Sequence, residues 1–560
     1  MKLRITLLFL VPFALLAGAR AQQSCDVLIR NALIYDGSGA APRRGDIALN
    51  ADTIAYVGPA GSLRGRRELD VRGLAVSPGF VNMLSHSEES LIADGRSESD
   101  IRQGVTLEVF GESSVGPLTD TLKREAIAMQ SDIRYPVDWT TLGEYLDRLA
   151  ARGIATNVAS FIGAGTVRAN VLHYAARPPT ADELERMKAL VRQGMEEGAL
   201  GLTTALLYVP DVYISTGELT ALAAVAGEYG GRLTAHIRSE GKHLPDAVRE
   251  MIDVARNAHV GVEIYHLKAS GRASWPLLDP VLMMIDSARA AGVDITADIY
   301  TYTAAATGLD GAMPPWVQEG GYGAWTGRLK DPAVRARLKR EMTTPSDAWE
   351  SYYLEAGSPE NVLLVAFKNP KLKPLTGKTL AEVAAMRGTS PVETMMDLVI
   401  EDSTRVGTIY FLMSEENIRK EIQRPWVSFG SDEASQAPEG VFLKSNPHPR
   451  AYGNVARLLG KYVRDEHVIT LEEAVRRLTS LPATNLKLVK RGYIRPGYYA
   501  DIVVFDPVRV KDLATYDRPH RYAEGVEDVF VNGVQVINGG RHTGATPGRI
   551  LRGPGYRKPR

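Results

Sequence analysis

The chain has 560 residues, of which 44% are hydrophobic and 24% are charged. This apolar fraction excludes an intrinsically disordered chain, because such a sequence can bury a large core. Basic and acidic residues number 66 each, so the chain has no excess of positive charge. Its charge balance therefore gives no indication of a nucleic-acid or acidic-lipid partner. The 1 cysteine excludes an internal disulfide framework and a cysteine-rich metal site. A bound metal would therefore need imidazole and carboxylate ligands.

The N-terminus has the features of a secretory signal peptide. Lys2 and Arg4 precede the apolar run Ile5–Gly18, and an A-x-A cleavage site follows at residues 19–21. The run is shorter than the ~20 residues that a transmembrane helix needs. We expect a mature protein that begins near Gln22, is exported to a bacterial periplasm and has no membrane anchor. An uncleaved anchor is the alternative.

Both ends of the mature chain predict antiparallel β-structure. Short alternating segments such as Asp46–Leu49 and Thr53–Val57 are separated by turn signals near the N-terminus. The same pattern returns in Asp501–Phe505 and Val529–Gly533. We therefore predict one small sheet domain assembled from both termini.

The middle of the chain alternates short apolar runs with helical patterns. Thr180–Glu183, for example, is a capping box that opens an amphipathic helix. Strand–helix alternation predicts a parallel sheet covered by helices. Eight such strands fit a (β/α)8 barrel with insertions, and a doubly wound sheet is the alternative. The predicted strands are Phe80–Leu84, Thr106–Phe110, Asn157–Ile162, Gly201–Leu206, Leu233–His236, Val262–His266, Ile295–Tyr300 and Trp426–Phe429.

The segment from about residue 307 to 425 is too long for one crossover between strands. It contains several helical patterns and two further strand-like runs, Val362–Ala366 and Thr408–Met413. We predict that this segment is a lid inserted before the last strand.

Distinctive polar residues follow the predicted strands at the ends where barrels of this kind gather their chemistry. Taken alone, a histidine there is usually a hydrogen-bonded structural residue and an aspartate is usually a helix N-cap. Two histidines at successive strand ends, with a carboxylate at another, make a metal site the simplest account. Two imidazoles, one carboxylate and a water form a known catalytic zinc arrangement. The residues are His86, Glu112, His236, His266, Asp298, Tyr300 and Asp432.

Eight short motifs follow one another in an order that is more specific than any motif alone. They are Ser77–Val81, Gly104–Thr106, Ala235–Glu240, Tyr265–Lys268, Asp298–Tyr302, His448–Arg450, Leu478–Ala483 and Pro496–Asp506. In this order the chain resembles the metal-dependent amidohydrolase superfamily, and most of all its N-acyl-D-amino-acid deacylase (D-aminoacylase) branch. The resemblance covers almost the whole mature chain.

The resemblance implies a fold and a domain organisation. After the signal peptide of residues 1–21, it implies a TIM-like (β/α)8 barrel over residues 77–485, with the lid inserted at about 307–425. It implies a small β-sandwich whose N-terminal part is residues 22–76 and whose C-terminal part is residues 486–560.

The resemblance also implies roles for particular residues. It implies zinc bound by His236 and His266. Asp432 would take a proton from the attacking water and pass it to the leaving amine. Lys268, Tyr300 and Arg450 would hold the carboxylate of the substrate, since an arginine can bind a carboxylate with two hydrogen bonds. A structural ion pair is the alternative role for Lys268 and for Arg450.

Three departures from the family pattern change the expected metal site. The superfamily pattern Asp-x-His-x-His reads here Asn82-Met83-Leu84-Ser85-His86, so a leucine replaces the first histidine. No lysine ends the fourth strand, and no cysteine follows the second strand, where the branch usually has a ligand. Glu112 is the nearest residue that can replace that cysteine.

We therefore expect one Zn²⁺ per chain, bound by Glu112, His236 and His266, with another divalent ion as the alternative because a carboxylate also suits harder metals. His86 would be an auxiliary ligand or a substrate contact.

The predicted function is zinc-dependent hydrolysis of an amide C–N bond, in which an N-acyl-D-amino acid gives a carboxylate and a free amino acid. The partner would be a small-molecule substrate with a free carboxylate. One alternative is a related amidohydrolase that acts on a dipeptide, a cyclic amide or a lactone. The other is a non-catalytic member with a degenerate metal site, of which Leu84 would be the first sign.

Overall fold

A computed structural model of the protein describes residues 24–61 and 63–558. The predicted signal peptide lies outside the described residues. Within these ranges, no helix is both long enough and apolar enough to cross a bilayer. The elements form a mixed α/β fold with parallel and antiparallel sheets.

A nine-stranded sheet joins the two ends of the chain, as their shared β pattern predicts. Ala75–Pro78 is the seam, because it pairs in parallel with Ser24–Ile34 and antiparallel with Ile502–Phe505. Apolar side chains from both ends, such as Ile29 and Phe530, are buried in one cluster against this sheet. The remaining strands are Arg43–Asn50, Thr53–Gly58, Arg64–Asp70, Val526–Val531, Val534–Asn538 and Arg541–His542.

Two parallel sheets occupy the middle of the chain, and nearly all their residues are buried. This burial explains why their strands are continuous apolar runs, since parallel sheets are covered on both faces. The first sheet has the order Phe80–Ser85, Val105–Phe110, Asn157–Ser160. The second has the order Val427–Phe429, Ile295–Ile299, Gly261–Ile264, Arg232–His236, Gly201–Ala205, Ile162–Gly163. The predicted strand Asn157–Ile162 is thus two strands, interrupted at Phe161, whose N–H donates to the carbonyl of Phe110 at 3.1 Å.

Helices connect successive parallel strands, as the alternation predicts. The helix Ala181–Glu196 begins at the predicted capping box, in which Thr180 accepts a hydrogen bond from the N–H of Glu183. The other connecting helices are Ser90–Ala93, Glu98–Ile101, Asp120–Met129, Leu142–Arg152, Ala164–Leu172, Thr216–Glu228, Leu244–Ala258 and Leu278–Ala290. The last strand is followed by Arg450–Arg457, the π-helix Leu458–Asp465, Leu471–Leu478 and Ser480–Asn485.

The segment between the last two strands of the six-stranded sheet has its own antiparallel sheet. Its strands are Ala305–Gly308, Gly407–Tyr410, Val362–Ala366 and Lys378–Thr379. The strand predicted at Thr408–Met413 is Gly407–Tyr410, and beyond its end the N–H of Met413 donates to the carbonyl of Thr303 at 3.1 Å. The helices here are Pro315–Gln318, Tyr322–Leu329, Pro332–Glu341, Tyr352–Ala356, Leu380–Arg387, Pro391–Asp402 and Glu415–Ile422.

Backbone hydrogen bonds link the first and last parallel strands close to their carboxyl ends. The N–H of Asp432 donates to Leu84 at 2.8 Å, and the N–H of His86 donates to Glu433 at 3.1 Å. These contacts make His86 and Asp432 neighbours, although they are far apart in sequence.

Candidate metal centre

Three of the predicted site residues lie just beyond their strands in a backbone conformation that residues other than glycine rarely adopt. The φ angles are +63° for Glu112, +35° for His266 and +52° for Asp432. Such residues cost about 1–3 kcal/mol each and concentrate at functional sites, where the surrounding structure holds them in place. The left-handed turns aim the three side chains into one space at the ends of the strands.

Local packing explains how two of these turns are held. A Cβ on Gly111 would lie 2.0 Å from the hydroxyl of Tyr265, so only glycine can precede Glu112 here. The N–H of His266 donates to a carboxylate oxygen of Asp298 at 2.8 Å. Asp298, which the sequence places at a strand end, is therefore a backbone anchor in this structure.

Glu112, His236 and His266 converge on one point. One carboxylate oxygen, Oε1 of Glu112, lies 3.1 Å from Nδ1 of His236 and 2.7 Å from Nε2 of His266. Burial would raise the pKa of Glu112, but the hydrogen bonds and charges of the two histidines lower it well below its ordinary value. The group therefore holds a carboxylate anion between two imidazoles.

The environment of His266 is strongly anionic. Burial and the charge of Lys268 lower the pKa of His266, but the carboxylates Asp432, Glu112 and Glu240 outweigh them and raise it to about 10. A cation placed among the same carboxylates would meet the same attraction.

The three side chains fit a divalent metal. Their ligand atoms all lie within 4.8 Å of one another, and both histidines are buried. Tetrahedral ligands at 2.0–2.1 Å from an ion are about 3.3 Å apart, so the two observed contacts of Glu112 would need to open only slightly. Two nitrogens and one carboxylate oxygen form a donor set that zinc accepts.

A second group of ligand atoms shares Glu112. Nε2 of His86 lies 3.0 Å from Oδ1 of Asp432 and 3.7 Å from Oε2 of Glu112. Burial would lower the pKa of His86, but the neighbouring Asp432 and Glu112 raise it to about 9. Glu112 therefore presents one oxygen to each group. The second group, of His86, Glu112 and Asp432, forms although Leu84 occupies the position where the family pattern has its first histidine.

Asp432 is also paired with a buried arginine. Nη2 of Arg450 lies 2.8 Å from Oδ2 of Asp432, and its Cζ lies 4.2 Å from the ring centre of Tyr300. Within the described residues, Nε and Nη1 of Arg450 and the hydroxyl of Tyr300 are buried without a hydrogen-bond partner. These three donors are available to an anion in the cavity.

Lys268 is held by the carboxylate of Glu240, a residue to which the sequence analysis assigns no role. Oε1 of Glu240 lies 2.5 Å from Nζ of Lys268 and 3.2 Å from Nδ1 of His266. The other oxygen of Glu240 accepts a hydrogen bond from the hydroxyl of Tyr352 at 2.9 Å. Burial would raise the pKa of Glu240, but Lys268 and the histidines lower it far below its ordinary value. Glu240 fixes Lys268 and His266 relative to each other.

All eight predicted site residues line one cavity of about 750 Å³. The residues are His86, Glu112, His236, His266, Lys268, Tyr300, Asp432 and Arg450. The predicted lid contributes to the same cavity through Thr307, Tyr352, Arg405 and Thr408.

Sequence reasoning missed Tyr352 and Arg405, which line this cavity, and gave no role to Glu240. Glu240 ends the motif Ala235–Glu240, but the sequence alone does not show that it pairs with Lys268. Tyr352 and Arg405 come from the inserted segment, where no sequence motif marks them. Their position follows only from the antiparallel sheet that folds the insertion back over the site.

Comparison with known proteins identifies the family. A model of the amidohydrolase family matches residues 355–537. A D-aminoacylase of Alcaligenes xylosoxydans is 30% identical over 94% of this chain and 98% of its own. An N-acyl-D-glutamate deacylase of the same organism is 31% identical over 95% and 97%.

The overall fold is similar to that of a solved relative. The crystal structure of N-acyl-D-glutamate deacylase from Bordetella bronchiseptica, complexed with zinc and a phosphonate inhibitor, has a TM-score of 0.80. It is 29% identical, and the match covers 95% of this chain and all of the other. The protein is thus a metal-dependent amidohydrolase that acts on amide bonds. These matches extend over almost the whole chain, and they place it in the N-acyl-D-amino-acid deacylase branch of the amidohydrolase superfamily.

Proposed function

We propose that this protein uses zinc to hydrolyse N-acyl-D-amino acids to a carboxylate and a free D-amino acid. The observation that carries the proposal is the convergence of Glu112, His236 and His266 beside Asp432. The relatives support the substrate class, because they are named D-aminoacylase, N-acyl-D-glutamate deacylase and N-acyl-D-aspartate deacylase.

Glu112, His236 and His266 would hold one zinc ion, which supplies Lewis acidity for the attacking water and the scissile carbonyl when it is bound. In this proposal Glu112 replaces the cysteine usual in the branch. His86, whose ring faces Asp432 and the second oxygen of Glu112, serves as an auxiliary ligand or a substrate contact.

Asp432 is the proposed catalytic acid–base. Burial would raise the pKa of Asp432, but the charge of Arg450 beside it lowers the pKa below its ordinary value, so the carboxylate is ionised at neutral pH. It can then accept the proton of the attacking water as the C–O bond forms. The same proton passes to the amide nitrogen as the C–N bond breaks, which gives a neutral amine as leaving group.

Lys268, Tyr300 and Arg450 are the proposed site for the α-carboxylate of the substrate. The free donors of Arg450 and the Tyr300 hydroxyl support this role, since a buried guanidinium rarely leaves donors without an acceptor. A substrate without a carboxylate would leave these donors unpaired, which disfavours uncharged cyclic amides and lactones.

We also propose the larger organisation that the family implies. The two parallel sheets would form one (β/α)8 barrel over residues 77–485, and the terminal strands would form a β-sandwich from residues 22–76 and 486–560. The signal peptide would direct the protein to the periplasm. Proteolysis or N-terminal sequencing of the exported protein would test the cleavage near Gln22.

The substrate proposal is tested by a screen of matched N-acetyl-D- and N-acetyl-L-amino acids with the zinc-loaded enzyme. We expect hydrolysis of D-substrates only, measured as free amino acid released. Hydrolysis of L-substrates alone, or of neutral cyclic amides in preference to both, would refute the proposed substrate class. Arg450→Ala should lose activity on carboxylate-bearing substrates more than on their amides.

A further inference from the structure

Arg405 is a cationic residue of the catalytic cavity to which the proposed reaction gives no role. Lys268, Arg405 and Arg450 are the lysine and arginine side chains that line the cavity in the described chain. The side chains of Lys268 and Arg450 are 3% and 2% exposed, whereas that of Arg405 is 48% exposed. An anion that enters the cavity therefore meets Arg405 with little rearrangement of the protein.

Contacts hold the guanidinium of Arg405 in place but do not use all of its hydrogen-bond donors. Its Nε lies 2.7 Å from Oδ2 of Asp310, and its Nη2 donates to the hydroxyl of Thr307 at 3.0 Å. Its Cζ lies 5.1 Å from the ring centre of Tyr208. Within the described residues, Nη1 has no hydrogen-bond partner. The contacts thus orient the group in advance, which lowers the entropic cost of binding an anion.

Asp310 does not shield Arg405 from the cavity. Asp310 is only 6% exposed and does not line the cavity that Arg405 lines, so an anion in this cavity meets the guanidinium rather than the carboxylate. Asp310 instead borders a separate cavity of about 510 Å³. Burial alone would lower the pKa of Arg405, but Asp310 raises it, so Arg405 remains a cation across the working pH range.

Arg405 lies on a different wall from the proposed α-carboxylate site. Arg405 packs over the ring of Tyr208, whose centre is 5.2 Å from that of His236, so Arg405 lies on the His236 side of the metal group. Lys268 and Tyr300 instead adjoin His266, whose ring centre is 6.3 Å from that of Tyr300. A substrate whose α-carboxylate is bound on the His266 side would therefore direct another of its groups toward Arg405.

We propose that Arg405 determines specificity by binding a second carboxylate of the substrate. The enzyme would then prefer N-acyl amino acids with two carboxylates, the second one being on the amino-acid side chain or at the end of the acyl group. This inference rests on the proposed deacylase function. It assigns a substrate preference to a residue of the inserted segment.

The test compares acidic substrates with neutral analogues of the same shape. One pair is N-acetyl-D-glutamate and N-acetyl-D-glutamine, and the other is N-succinyl-D-alanine and its succinamide analogue. A charge-assisted hydrogen bond contributes enough for a ratio of kcat/KM of about tenfold to a hundredfold in favour of the acid. The pair that shows this ratio identifies the position of the second carboxylate.

Arg405→Gln should reduce that ratio to near one, whereas Arg405→Lys should keep part of it because the charge remains. Arg335→Gln is the matched control, since Arg335 also pairs with an aspartate of the inserted segment, Asp397, but lies outside the cavity lining. The control should keep the wild-type ratio. A wild-type ratio near one for both pairs, or an unchanged ratio in Arg405→Gln, would overturn the proposal.

A binding measurement separates this inference from the reaction itself. Calorimetry with N-acetyl-D-glutamate and N-acetyl-D-glutamine should show tighter binding of the acid to the wild type and a smaller difference in Arg405→Gln. If D-substrates are hydrolysed without any acidic preference, the deacylase function stands and the role of Arg405 is refuted. If the acid is preferred in binding but no N-acyl-D-amino acid is hydrolysed, the proposed function fails while the site at Arg405 stands. The same measurement with N-succinyl-D-alanine and its succinamide analogue covers a second carboxylate on the acyl group, and equal binding within both pairs to the wild type would refute the site.

Discussion

Arg450 and Asp432 form an ion pair in the wall of the cavity that the predicted site residues line, with Nη2 and Oδ2 separated by 2.8 Å. The pair explains how a nearly buried carboxylate stays ionised, because the charge of Arg450 lowers the pKa of Asp432 despite burial. A carboxylate that is ionised at neutral pH can accept a proton from water, and a carboxylic acid in the same place could not. Arg450 thus has two proposed tasks, to keep Asp432 charged and to bind the substrate.

Replacement of Asp432 by Asn should lower kcat by a factor of about 10²–10⁴, the usual contribution of a general acid–base group. The amide is nearly the same size but cannot accept the proton, so the zinc-loaded protein should keep its fold. Steady-state kinetics together with metal analysis test this. Asp397→Asn, a change in an ion pair outside the cavity lining, is the control. Wild-type turnover in a metal-loaded Asp432→Asn variant would show that another residue transfers the proton.

Replacement of Glu112 by Cys should change the metal preference without abolishing binding. A thiolate suits zinc better than manganese, whereas a carboxylate accepts both, so the ratio of Zn²⁺ to Mn²⁺ affinity should rise. The purified Glu112→Ala variant should contain much less bound metal than the wild type. Competition experiments followed by elemental analysis measure both effects. Glu125→Cys, in the same cavity but outside the two ligand groups, is the control, and an equal shift in that variant would contradict the role of Glu112.

Replacement of Glu240 by Gln should lower the free energy of unfolding by about 3–5 kcal/mol, because it leaves the buried Lys268 without its carboxylate. Urea unfolding of the metal-free protein measures the change. The double variant Glu240→Gln with Lys268→Met should recover much of the loss, since it also removes the unpaired cation. A loss below about 1 kcal/mol in the single variant would mean that the pair is not a structural requirement.

His448 should make the stability of the protein fall in mild acid. Burial and the charge of Arg450 lower the pKa of His448 well below its ordinary value, so the folded protein keeps the ring neutral. In the unfolded chain the ring takes up a proton below a pH of about 6.5. Protonation then favours the unfolded state, and this group removes up to about 1.4 kcal/mol of stability per pH unit below that value.

The variant His448→Asn tests this pH dependence, because asparagine can still accept the hydrogen bond that the ring takes from the N–H of Arg450. Urea unfolding at several values between pH 4 and pH 8 should show a shallower loss of stability in the variant than in the wild type. Parallel curves for the two proteins would show that His448 does not contribute.

The sequence predicts the strands and the residues at their ends because both depend on local patterns. Apolar runs place His236 at the end of a strand and His266 two residues beyond the end of the next, Gly261–Ile264. The left-handed turn at His266 could not be predicted, because it depends on the hydrogen bond from its N–H to Asp298 on another strand.

Contacts between distant segments explain the rest of what the sequence could not predict. The hydrogen bond from Tyr352 to Glu240 joins residues 112 positions apart, and the tyrosine comes from an insertion without a recognisable motif. The second ligand group likewise depends on the approach of His86 to Asp432, which are 346 positions apart. The signal peptide, the domain boundaries and the roles of the site residues stay predictions.

Metal content with recovery of activity tests the central claim most directly. The purified protein should contain about one zinc ion per chain, lose hydrolysis of N-acyl-D-amino acids when a chelator removes the zinc, and regain it when zinc is added back. Protein that contains no stoichiometric metal, and that gains no activity on such substrates from added zinc, would contradict the account.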